Sequence, residues 1–341
     1  MSVLRLLEGK MSKILSIAVP SYNVEKYLKK ALDSYADSRL EEALEVLIVN
    51  DGSTDKTREI AEEYVERFPK LFKLINKENG GHGSAVNAGI NNATGKYFRI
   101  IDGDDWVNTE NLIKLLEVMK KVDSDIVVDE KREVHMVTGN TQFFPMPESV
   151  EEMKEYSFVD VCMQEQITPY IMMHTISVKT EVLKENKIQL LEHVFYVDYE
   201  YIVKATCASK TVTFAKLEVY QYLVGNVNQS VSSQNYVKRY RHHDKVVKEV
   251  MRFAKEKQYT GILKVYIDKK INLVINNHYN ISLIFNKDRK EGRMQAREFK
   301  KYLKENYLPY YKATNKRYFQ AYALHVLGVD AGKLNRLMGR Q

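Results

Sequence analysis

Residues 97–107 read Tyr-Phe-Arg-Ile-Ile-Asp-Gly-Asp-Asp-Trp-Val. The first five form a short, largely apolar run of strand length. It ends in three carboxylates, Asp102, Asp104 and Asp105. Upstream, residues 14–19 (ILSIAV) and 44–49 (LEVLIV) are apolar runs of the same kind, and 71–75 is a further one. Such runs read as buried strands. Between the first two, Val24, Tyr27, Leu28, Ala31, Leu32 and Tyr35 recur at helical spacing. A helix is expected over 55–67, with Ser53 and Thr54 as candidate caps, and another over 84–93. Residues 79–83 (NGGHG) read as a loop, because three glycines in five oppose regular structure. Downstream, 112–119 reads as helix and 125–128 as strand. Strands alternating with helices predict an α/β fold, a Rossmann-like, mostly parallel sheet flanked by helices. Ligands then bind at the carboxyl ends of the strands. The polar clusters at 20–23, 50–53 and 102–105 sit at those ends and are expected to converge. Residues 130–225 alternate less cleanly, with strand-like runs at 170–178 and 211–224 and a helix near 198–208. From about residue 235 the chain reads as mainly helical.

Three carboxylates within four residues repel one another unless a cation intervenes. Hard divalent ions such as Mg²⁺ or Mn²⁺ prefer oxygen ligands, often one or two carboxylates plus substrate phosphates. The alternative is a solvated acidic turn capping the helix that starts near Asn108. An EF-hand is excluded, since Val107 occupies the position that needs Gly. The glycine loop has Val86 where a dinucleotide fingerprint needs its third Gly, and the spacing from Gly89 to Gly95 is not that of a P-loop.

The chain has 341 residues, 44% hydrophobic and 28% charged, values of an ordinary globular protein. No run of about 18 apolar residues is present, which argues against a membrane-spanning helix. The first ten residues lack the pattern of a secretory signal. Two cysteines, Cys162 and Cys207, exclude a disulfide scaffold and a cysteine zinc site, and a cytoplasmic location is expected. The net charge of +7 is unevenly spread. Residues 226–341 hold 25 basic and 9 acidic residues, a net of +16, and 11 of the 23 tyrosines. Residues 1–225 hold 27 basic and 36 acidic, a net of −9. A basic surface attracts polyanions, but the acidic front part argues against nucleic acid across the whole molecule.

The segments SIAVPSYNVEKYLKKALDS (16–34), LEVLIVNDGSTDKT (44–57) and NKENGGHGSAVNAGINNATGKYFRIIDGDDWV (76–107) together resemble the family 2 glycosyltransferases of GT-A fold. The resemblance covers roughly residues 14–225. It implies a catalytic domain over 14–225, an N-terminal extension over 1–13 and a basic, tyrosine-rich helical region over 226–341. It implies an inverting transfer from a nucleotide-sugar, a UDP-sugar, to a glycan or lipid-linked acceptor in cell-surface or exopolysaccharide synthesis. Tyr22 would face the nucleobase and the Pro20-Ser21 backbone would line its pocket. Asp51 would accept from the base imide N–H. Asp102 would lie at the ribose or metal edge, and Asp104 would coordinate Mn²⁺ or Mg²⁺. Asp105 would join that site or cap the following helix. His82 would reach the diphosphate or donor sugar, or lie on a surface loop, and Asn87 would brace the loop beneath the metal motif. Many relatives carry Arg where this chain has Val86.

The family's general base is implied at Asp198, where Val197 replaces the usual preceding Glu. Glu200 is the fallback, and an N-cap is the structural alternative for Asp198. Residues 229–232, with Gln229, match a segment that closes over the diphosphate. Two rival functions stand beside this reading. A sugar nucleotidyltransferase would want a glycine-rich basic loop directly after the first strand. A non-catalytic nucleic-acid-binding protein leaves the acidic crevice unexplained. The apolar stretch 318–329, flanked by Arg317 and by Lys333, Arg336 and Arg340, has two readings. It is either a packing or homodimer element, or a peripheral contact with the inner face of the membrane.

Overall fold

The structure is a computed structural model and describes residues 13–225, 232–330 and 332–333. Gln229 lies outside the described residues, as does nearly all of the 1–13 extension. The first part alternates as its sequence pattern dictates: β1 (Leu15–Ser21), α1 (Glu25–Asp33), β2 (Leu44–Asp51), α2 (Thr57–Arg67), β3 (Phe72–Lys77), α3 (His82–Asn92) and β4 (Tyr97–Ile100). β1 and β2 are buried along their whole length, as continuous apolar runs are in a sheet covered on both faces. Then come β5 (Trp106–Val107), α4 (Thr109–Lys121), β6 (Ile126–His135), β7 (Thr141–Phe144), β8 (Glu155–Ser157), α5 (Phe158–Val161), β9 (Ile176–Lys179), α6 (Thr180–Glu185), α7 (Val197–Ala208) and β10 (Thr211–Val224).

The strand order is β3-β2-β1-β4-β9-β6-β10-β5, with β7 on β6 and β8 on β10. β3, β2, β1 and β4 run parallel, as do β6 and β10. β9 enters antiparallel between β4 and β6. The sheet is therefore parallel in its first half and mixed in its second. Of the strand-like run 170–178 only the end is extended, because residues 168–170, with Pro169, close a 3-10 turn. The core packs Ile17, Val19, Val46 and Ile48 against Leu28 and Leu32 of α1, Tyr64 of α2, and Leu112, Leu115 and Met119 of α4.

Two local expectations are corrected. Ser53 and Thr54 do not cap α2. The Asn23 N–H donates to Ser53 Oγ (3.1 Å), and the Thr54 N–H donates to Asn23 Oδ1 (2.8 Å). These bonds tie the loop after β2 to the loop after β1. α3 begins at His82, two residues earlier than expected, because Gly81, at φ 83°, supplies the left-handed turn that starts it.

The chain divides into two compact units, residues 1–193 with 208–224, and 194–207 with 225–341. The second unit is helical: α8 (Ser233–Lys238), α9 (Tyr240–Lys257), α10 (Gly261–Asn280), a π-turn at Ile281–Phe285, α11 (Arg289–Asn306) and α12 (Leu308–Val326). All but the last residue of α7 groups with it. Tyr196, just before α7, stacks on Tyr236 with centroids 4.5 Å apart. Lys204 Nζ donates to Glu200 (2.6 Å) and Glu249 (2.9 Å). Deeper in this unit, His243 stacks on His278 at 5.1 Å. In α12, Tyr318, Ala321 and His325 are buried, while Phe319, Val326 and Leu327 beyond its end are exposed. No helix among the described residues is long and apolar enough to cross a membrane.

Candidate functional site

The carboxyl ends of β1, β2 and β4 meet through their loops. Val24 N–H donates to Thr57 Oγ1 (2.9 Å) and Glu25 N–H to Asp55 Oδ2 (3.1 Å). In return, Lys56 N–H donates to Glu25 Oε2 (2.9 Å). A Cβ on Gly103 would lie 3.1 Å from Pro20 O and 3.2 Å from Ser21 Oγ, so the acidic loop rests directly on the end of β1. Tyr22, next in the chain, is 52% exposed. Asp51 is buried and accepts three bonds: from Lys77 Nζ (2.7 Å), Gly80 N–H (2.9 Å) and Gly81 N–H (2.8 Å). It pins the glycine loop, and with about four lone-pair positions on a carboxylate one remains.

The carboxylates of Asp102, Asp104 and Asp105 can each bring one oxygen within 4.8 Å of the others. Their environments differ. His82 Nε2 lies 2.8 Å from Asp102 Oδ1, so this His stands in the first turn of α3 facing the acidic loop. Burial opposes ionisation of Asp102, but His82 and His174 together hold its pKa below the ordinary value. Burial, then the charge of Asp102, raises Asp104 to about 6. Burial and its two acidic neighbours raise Asp105 well above a normal carboxyl, against bonds from the Tyr220 hydroxyl and Leu223 N–H. Asp105 therefore does not cap α4. Asn108 does, accepting from Asn111 N–H at 3.1 Å. Oxygen donors crowded this closely fit a small hard cation.

Several residues around this cluster were not found by sequence reasoning, among them Tyr220, whose hydroxyl donates to Asp105. His174 stacks on Tyr222 (5.3 Å) and tilts against Tyr220 (5.0 Å). Burial lowers its pKa to about 4, leaving a neutral ring beside the carboxylates. Arg99 and Asp129, both fully buried, form an ion pair, and Arg99 Nη2 also donates to His174 O (2.7 Å). Asn87 braces a different segment from the one expected. It holds Leu190 through both backbone groups, at 2.8 and 2.9 Å. There a Cβ on Gly83 would meet Leu191 O at 2.1 Å.

In the helical unit, Asp198 is the second residue of α7 and half-buried. Glu200, the fallback base, is fully buried and ion-paired with Lys204 of the same helix, and Lys204 also pairs with Glu249 of α9. Tyr196 precedes α7 at φ 70°, a left-handed conformation costly for an aromatic residue. Such strain gathers at functional turns.

Residues 16–185 match the family model described as Glycosyl transferase family 2. The chain is 39% identical over 117 residues to "uncharacterized glycosyltransferase EpsJ" of Bacillus subtilis (strain 168), covering 34% of this chain and 33% of EpsJ. It is 36% identical over 116 residues to the minor teichoic acid biosynthesis protein GgaB of the same organism, covering 33% of this chain and 13% of GgaB. The matched stretch thus spans a third or less of these relatives. The fold is similar to that of S. aureus TarS residues 1–349 in complex with UDP-GlcNAc. The TM-score is 0.67 at 19% identity, over 96% of this chain and 92% of that one. At that identity the likeness carries the fold alone: a GT-A sheet followed by a helical region.

Proposed function

The chain belongs to glycosyl transferase family 2, and we propose that it moves a sugar from a UDP-sugar to an acceptor hydroxyl with inversion at the anomeric carbon. The observation that carries this reading is the meeting of Tyr22, the Asp51-pinned glycine loop and the Asp102–Asp105 carboxylates at the carboxyl ends of one sheet. Tyr22 stacks on the base, the Pro20-Ser21 backbone lines the pocket, and Asp51 offers its remaining lone pair to the imide N–H. Asp104 holds Mn²⁺ or Mg²⁺, with Asp102 and Asp105 beside it. Bound there, the ion would neutralise charge on the leaving diphosphate. His82 orients Asp102 rather than standing as a free surface His. Asp198 takes the acceptor proton as the hydroxyl oxygen attacks from the face opposite the nucleotide, so an α-linked donor yields a β-linkage. Val86 leaves any contact made by an Arg in relatives to other groups.

The similarity to GgaB, a minor teichoic acid biosynthesis protein, supports a cell-surface glycan as the product. Exposed Phe319, Val326 and Leu327, with Lys316 and Arg317 alongside, support a peripheral contact with anionic membrane at the cytoplasmic face. Flotation with anionic vesicles that weakens at high salt is expected. The central test is a panel of UDP-sugars with Mn²⁺ or Mg²⁺. Release of UDP that stops in chelator and in Asp104→Ala is expected. Release of pyrophosphate, the signature of a nucleotidyltransferase, or full activity in chelator would overturn the reading.

A further inference from the structure

We propose that the acceptor carries a phosphate next to its reacting hydroxyl, and that Arg239 in the helical unit holds that phosphate. The inference rests on the reading of Asp198 as the base. Arg239 stands at the junction of α8 and α9. Its guanidinium lies over the ring of Phe195, 3.6 Å from the centroid. It is hydrogen-bonded to the Tyr196 hydroxyl, and its Nη1 is buried without a partner. Among the described residues it has no ion pair. A partly buried guanidinium without a counter-charge is costly. Arg99, which is fully buried, has both oxygens of Asp129. The unpartnered Nη1 of Arg239 suits a phosphate oxygen, to which a guanidinium donates a charge-assisted bond.

The surroundings agree. Tyr196, bonded to Arg239, also lies within electrostatic reach of Asp198, so the guanidinium and the base flank one strained turn. Phe195 is 40% exposed beside it and offers an apolar face to a polyol or sugar carbon skeleton. The ring of His242 lies 5.7 Å from Phe195, and its Nδ1 is buried without a partner. Burial, with Lys245 and Arg239, lowers its pKa, so it contributes a neutral hydrogen-bonding group. Exposed Lys238, Arg241 and Lys245 add positive potential on the same segment.

The phosphate could belong to a polyol-phosphate polymer or to a lipid-linked saccharide, and two probes separate these sources. Full-length protein saturated with UDP and Mn²⁺, so that the donor site is filled, is titrated calorimetrically with sn-glycerol 3-phosphate, with a short-chain lipid phosphate, and with glycerol. At least one phosphate is expected to bind saturably and glycerol not to bind; the tighter phosphate identifies the source. Arg239→Gln should weaken phosphate binding at least about tenfold, while Arg241→Gln changes it less than about twofold. UDP affinity should be unchanged in Arg239→Gln, which also shows that the variant is folded. Equal binding of glycerol, no phosphate binding by wild type, or undiminished phosphate binding by Arg239→Gln overturns the proposal. So does a tenfold loss of UDP affinity in that variant, which would assign the guanidinium to the donor. Failure of wild type to turn over any UDP-sugar would instead sink the glycosyl-transfer reading, and it leaves the phosphate titration to stand or fall alone.

Discussion

The sheet unit and the helical unit build polar sites in opposite ways. In the first, short side chains bind neighbouring backbone: Asn23 with Thr54, Thr57 with Val24, and Asp51 with Gly80 and Gly81. The result is a rigid frame around carboxylates that crowd one another. In the second, long side chains stack on each other, Tyr196 on Tyr236, His243 on His278 and Arg239 on Phe195. Among the described residues, the partly buried Arg239 there has no ion pair. The first unit thus accumulates negative charge that suits a cation, and the second exposes positive charge that suits an anion.

The sharpest way to break the comparison is to remove the one acid assigned to chemistry in the helical unit. Asp198→Asn should lower turnover by about 10²–10⁴-fold with donor affinity intact. Normal turnover in initial-rate assays would move the base elsewhere. Next come the buried ion pairs, one in each unit. Arg99→Met takes the paired cation from Asp129, and Lys204→Met takes it from Glu200, each costing about 3–5 kcal/mol. Hydrogen exchange should show lost protection in the strands for the first and in the helices for the second. Uniform loss in both variants would mean that the units do not respond separately.

A smaller effect follows from pH. Asp104 titrates near 6 in the fold against 3.8 for an unperturbed group. Between about pH 4 and 6 the metal-free fold therefore binds more protons than the unfolded chain, and this group lowers stability as pH rises through that window. Deprotonation frees the ligand, so Mn²⁺ affinity should climb with pH up to about 6, at most about tenfold per unit, and then level off. Titration by electron paramagnetic resonance would show it; a flat profile would remove Asp104 from the ligands. Smallest is Tyr22→Ala, which should weaken UDP by about tenfold through lost stacking. An unchanged affinity would place the base elsewhere.

What could be read in the sequence divides along the same line. Strands β1 to β4, the acidic loop and the 20–23 and 50–53 clusters were legible because each motif contacts the next through backbone-level bonds, and apolar runs mark the strands. His174 and Tyr220 were not. They reach the carboxylates from β10 and from the turn before β9, some 70 to 115 residues downstream, and neither periodicity nor spacing encodes that approach. The antiparallel entry of β9 was hidden for the same reason, since four residues carry no sign of direction. The burial of Glu200 was not legible, because Lys204, four residues on, gives no hint by itself that the pair is buried. Arg239 lies in a basic segment where one cation among many looks solvated; only the ring of Phe195, 44 positions earlier, distinguishes it.

The return of β10 has a consequence for how this molecule is made. The chain leaves the first unit after residue 193, gives 194–207 to the second, and comes back to lay residues 211–224 alongside β6. During synthesis at about 5–20 residues per second, β6 waits several seconds for its parallel neighbour, with an open edge exposed to other nascent chains. The two units are thus plaited along the polypeptide, and no single cut releases either one whole. Separating them for expression requires a splice that removes 194–207 from one and restores it to the other.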